Sequence, residues 1–135
     1  MSHAPGRDFS IVVGILFIVF GVTDVLASFG GFTTTSFLDD FMPARLSWNI
    51  YYGFMLFMSG FSVFAGIMGI TNANKPERAS LLRLLGIVVI CFIMLDILMS
   101  SIFLLPRIAV LNTLSKLAFP LLFIVGAQKN LQAQK

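Results

Sequence analysis

The sequence predicts an all-α membrane protein, an antiparallel four-helix transmembrane bundle with both termini cytoplasmic. Three observations lead there. Of 135 residues, 58% are hydrophobic and 11% charged, with a mean hydropathy of +0.96. A soluble domain averages about 25% charged residues, and half that number does not coat a water-facing surface. Four apolar stretches are each long enough for a hydrocarbon core of about 30 Å, which takes ~20 helical residues. Those stretches are continuous rather than alternating, so a β-barrel is excluded, and helices alone satisfy the backbone within each span.

The chain, residues 1–135, reads as a single domain. The spans are expected at about Phe9–Phe29, Leu46–Ile70, Leu81–Leu105 and Ile108–Gly126. Arg7 before the first apolar run, with Val25-Leu26-Ala27 after it, loosely resembles a cleavable signal. The run is longer than the ~7–15 residues of a signal core, and Asp24 interrupts its end, so it reads as an uncleaved helix.

Between the first two helices lies an outer loop, 30–45, with Thr33, Thr34 and Thr35. Ser36-Phe37-Leu38-Asp39 follows with the spacing of a capping box opening a short helix. Phe37, Leu38, Phe41 and Met42 then lie on the membrane surface, or in an irregular loop packed on the bundle. The cytoplasmic loop, 71–80, carries a helix start signal: Asn74 as cap, Pro76 in the first turn and Glu77 three residues after the cap. Pro106-Arg107 makes a turn tight enough to force the last two helices to be antiparallel neighbours.

Orientation follows from Lys and Arg. One side holds Arg7, Lys75, Arg78, Arg83, Lys129 and Lys135, the other Arg45 and Arg107. Six against two places both termini in the cytoplasm by the positive-inside bias, and Trp48, Tyr51 and Tyr52 form an aromatic belt at the outer interface. Small residues indicate how helices meet. Gly14, Gly21 and Ser28 on the first helix, and Gly53 and Gly60 on the second, recur every seven residues, Ser62-x-x-x-Gly66 and Ala65-x-x-x-Gly69 follow, and such small residues allow close backbone approach. They pack the first helix on the second, or two copies of the chain together.

Three ionisable residues fall inside the spans: Asp24, Asp96 and Lys116. Unpaired charges there are costly, so they are expected to face the interior, a water-filled cavity or one another. Asp96 lies eleven residues before Arg107 and Lys116 nine after it, about 16 and 14 Å below the outer turn at 1.5 Å per residue. That levels them on adjacent helices. Side chains lean toward their own helix N-terminus, which brings Lys116 and Asp24 toward each other. A shared Asp24–Lys116–Asp96 cluster follows. Pro120 is expected to free the Lys116 carbonyl and kink the helix, making a polar strip with Asn112.

No catalytic residues, metal ligands or cofactors are expected. Cys91 has no nearby base, His3 is the single histidine, and a charge of +3 is too dispersed for nucleic acid. Phe54, Phe57, Phe61 and Phe64 recur as a packing or lipid-contact stripe, while Met55, Met58 and Met68 fill gaps. Small multidrug transporters share the size and helix count, but the first helix lacks their central glutamate. The Arg-, His- and Glu-rich motif of four-helix glutathione-transferring membrane enzymes is also missing. The expected role is non-enzymatic: a multi-pass subunit of a cell membrane that associates with itself or a larger membrane partner. Against it stands an ion- or proton-coupled transporter or channel using Asp24, Asp96 and Lys116.

Overall fold

A computed structural model describes residues 5–37, 45–102 and 116–132. They form α1 (Arg7–Phe37), α2 (Arg45–Thr71), α3 (Ala79–Ile102) and α4 (Ala118–Gln132), with a 3-10 turn at Pro76–Arg78 leading into α3. Among the described residues no strand occurs. Three helical stretches, Arg7–Gly31, Ile50–Thr71 and Pro76–Met99, are long and apolar enough to cross a membrane.

The helices pack in a ring: α1 on α2, α2 on α3, α3 on α4, and α4 back on α1. Contacts along α1 and α4 give their register. Gly6 meets Asn130, Phe17 meets Phe123 and Phe20 stacks on Phe119, so the partner number falls as α1 advances and the helices are antiparallel. Val13, Phe17, Ala65, Leu82, Phe123 and Ala127 are the buried centre. The outside is as apolar as the inside. Leu26 is 67% exposed and Phe57 63%, which suits lipid and would be costly in water at about 25 cal/mol per Å².

Glycines place α1 against α2. A Cβ on Gly14 would stand 2.8 Å from the Gly66 carbonyl oxygen, and one on Gly66 2.5 Å from that of Gly14. Gly21 faces the Ser59 carbonyl and Val63 in the same way. The expected partners Gly53 and Gly60 do not take part. They are exposed, with no heavy atom within 4 Å of an added Cβ. A seven-residue repeat puts two glycines on one face without saying which way that face looks, and Gly66 and Ser59 hold the inward positions.

The element ends also differ from expectation. α1 continues through Gly30, Gly31 and the threonines to Phe37, so Ser36 lies within α1 and opens no new helix. Gly31 lies under the Tyr52 ring, and this packing overrides the weak local helix propensity. Before α3 the capping position is Lys75, without a side-chain cap hydrogen bond, rather than Asn74; Pro76 takes the first-turn place. The expected fourth span is described only from Lys116 on. Residues 116–117 form a turn, and α4 begins at Ala118 and passes Gly126 to reach Gln132. Asn112, the Pro106-Arg107 turn and residues 38–44 lie outside the described residues.

Candidate functional site

Pro120 explains where α4 begins. A proline ring clashes with the carbonyl four residues back, which here is that of Lys116. The chain resolves this by starting α4 just before the proline, in whose first turn the missing N–H costs nothing. The Lys116 carbonyl is not freed as expected. It accepts the Phe119 N–H at 3.3 Å, and Leu117 accepts that of Leu121 at 3.4 Å. Pro120 is therefore a buried helix-start residue rather than a mid-helix kink.

The turn sets Lys116 beside α1. Its Nζ donates to Asp24 Oδ2 at 2.7 Å, one helical turn beyond the Phe20–Phe119 stack. The pair keeps 21% of the lysine side chain and 27% of the aspartate side chain accessible, so it is neither sealed nor free in solvent. Asp96, at 5% exposure, lies deeper on α3. Asp24, Asp96 and Lys116 line one cavity of about 50 Å³, closed otherwise largely by Phe17, Met58, Val89 and Ile93. That exceeds the roughly 10–15 Å³ one water needs. Sequence spacing brought the three charges to one cluster, and the structure does so too. Within it Lys116 bonds Asp24 directly, and Asp96 lines the same cavity from α3.

Two hydroxyl residues complete the lining, Ser59 and Ser62 on α2. Ser59 donates to the Met55 carbonyl at 2.7 Å, the within-helix bond by which hydroxyls are satisfied in apolar surroundings. Ser62 stood out in the sequence only as a small residue four before Gly66, and Ser59 did not, since a lone serine in an apolar run carries no signal of its facing. The outer aromatic belt is also revised. Tyr51 is 8% exposed, an interior residue, and its ring meets that of Tyr52 edge-on at 5.6 Å. Trp48 lies in α2, with its side chain outside the described residues.

A second polar site went unread in the sequence. Asn130 is fully buried near the end of α4. Its Oδ1 accepts the Gly6 N–H at 2.6 Å, and its Nδ2 donates to the Ala73 carbonyl at 3.4 Å. One amide thus ties the start of α1, the α2–α3 loop and α4 together. Gly6 and Gly126 permit the approach, since a Cβ on Gly6 would collide with the Gly126 carbonyl. Asn130 sits in a run, Gln128-Lys129-Asn130-Leu131-Gln132, that has the composition of a solvated tail.

Among the described residues, no group of three or more His, Cys, Asp or Glu converges as a metal ion needs. Compared with known proteins, the sequence matches no family model, and no curated protein or solved structure matches it either.

Proposed function

We propose that the chain is a multi-pass cell-membrane protein with four spans and both termini cytoplasmic, acting without catalysis as a self-associating or accessory membrane subunit. The observation that carries this reading is the Lys116–Asp24 pair. It joins α1 to the turn before α4 at 2.7 Å, and buried polar pairs are best attested as devices that fix register and assembly. Two supports stand beside it. The core below the cavity is filled by Phe17, Leu82 and Phe123, and a chain of 14.9 kDa encloses little space of its own. The excess of Lys and Arg at the end holding Arg7, Lys75 and Lys129 supports the orientation.

The runner-up is an ion- or proton-coupled transporter or channel, favoured by a cavity lined by two carboxylates and one lysine, as charges within a membrane mark ion pathways. Purified protein measured by light scattering, then reconstituted for flux, separates the two. The subunit reading expects a mass of at least two chains and proton flux no greater than in empty liposomes. A monomer whose flux depends on Asp96 overturns it in favour of transport.

A further inference from the structure

Away from the charge cluster, the opposite end of the bundle carries an open groove of about 480 Å³ between the start of α3 and the end of α4. Its lining is Ser80, Leu81, Arg83, Leu84 and Ile87 from α3, with Leu131 from α4. Residues 80, 83, 84 and 87 share one helix face. Along that face a hydroxyl and a guanidinium are followed by two large apolar side chains, Leu84 at 57% and Ile87 at 41% exposure.

Arg83 is the unusual member. It stands about 10 Å inside Pro76 at helical rise, within a stretch apolar enough to cross a membrane. Among the described residues no carboxylate pairs with it. A charge so placed takes its head to the interface along an apolar stem, and its side chain leans toward the helix N-terminus, the Ser80 end of the groove. This end also carries Arg7, Lys75, Arg78 and Lys129 against Asp8 and Glu77, so an anion is drawn to it. The order from polar to apolar matches a phospholipid, with phosphate at the mouth and acyl chain below. Basic pockets between membrane helices hold anionic head groups by the same chemistry.

We propose that this groove seats one anionic phospholipid, its phosphate held by Arg83 and Ser80 and its acyl chain lying on Leu84, Ile87 and Leu131. The proposal rests on α3 spanning the membrane and is independent of what the Asp24–Lys116–Asp96 cluster does.

Native mass spectrometry of the delipidated full chain tests it, with dioleoyl phosphatidylglycerol titrated against dioleoyl phosphatidylcholine. Wild type is expected to retain the anionic lipid about fivefold better, the size of one basic residue's attraction near a surface. Arg83→Gln abolishes the preference, and Arg83→Lys keeps part of it. Lys129→Gln removes the same charge outside the groove and leaves the preference intact. Ile87→Trp, which fills the apolar end without changing charge, lowers occupancy and keeps the proposal testable if Arg83→Gln does not fold. Equal retention of the two lipids by wild type overturns the proposal. So does an equal loss in Lys129→Gln, which means diffuse attraction, or displacement of the lipid by glycerol phosphate, which means a free-phosphate site. Failure of both lipids to bind at any concentration removes the membrane reading with it.

Discussion

Replacing Lys116 with Met removes the cation that Asp24 meets at 2.7 Å and leaves two carboxylates lining one small cavity. An exposed pair is worth about 0–1 kcal/mol, whereas stranding one charge of a fully buried pair costs about 3–5 kcal/mol. With 21% and 27% of the two side chains accessible, the site lies between these limits. Lys116→Met is therefore expected to cost about 2 kcal/mol, because Asp24 loses its cation in a cavity that Asp96 also lines. Asp24→Asn is expected to cost about 1 kcal/mol, since the amide oxygen still accepts the lysine proton and the ammonium can reach outward. The double variant strands neither member of the pair and is expected to lose only about 1 kcal/mol, a coupling of about 2 kcal/mol. The assay is helicity followed by circular dichroism while the folded protein in mixed micelles is titrated with a denaturing detergent. Single losses under about 0.5 kcal/mol, or a double loss equal to the sum of the singles, would falsify the register-fixing role.

The α1–α2 seam gives a contrast within one residue type. Gly66→Ala puts a methyl 2.5 Å from the Gly14 carbonyl oxygen and is expected to destabilise by about 1–3 kcal/mol, while Gly60→Ala, in open space, is neutral or gains up to about 1 kcal/mol from helix propensity; equal effects in the same titration refute the assigned facing. Asn130→Ala leaves the buried Gly6 N–H without its acceptor and is expected to cost about 2 kcal/mol, with faster amide exchange at Gly6 as the local readout. Cys91 is exposed in α3, within a candidate span, so a membrane-impermeant maleimide should label it in detergent-unfolded protein and leave it untouched in intact proteoliposomes. Labelling in intact vesicles removes α3 from the membrane.

The helices were legible because lipid and backbone impose strong rules. A run of ~20 apolar residues has few other outcomes when every N–H and C=O must be satisfied inside its own segment. α2 ends at Thr71 and begins at Arg45, one residue from expectation at each end. The meeting of Lys116 with Asp24 was expected from the lean of Cβ along antiparallel helices, but in the structure Lys116 reaches Asp24 from a turn. Facing of the glycines was not. Gly53 and Gly60 share a repeat, but the interior and lipid sides of this bundle are equally apolar, so no amphipathic pattern says which side a repeat takes. Asn130 was hidden for a related reason. A polar residue after the last apolar run looks the same whether water or a loop carbonyl receives it.

Composition and hydropathy by themselves determined a helical chain with segments apolar enough to cross a membrane, and local spacing brought three charges to one region. The tertiary structure alone decided which carboxylate takes the lysine, which glycines form the seam, and where the chain is locked at its two ends. Pro120 shows why. Its ring excludes the carbonyl four residues back, α4 begins at Ala118, and Lys116 stands in a turn beside α1. The bond from Lys116 to Asp24 depends on elements distant in sequence meeting in space.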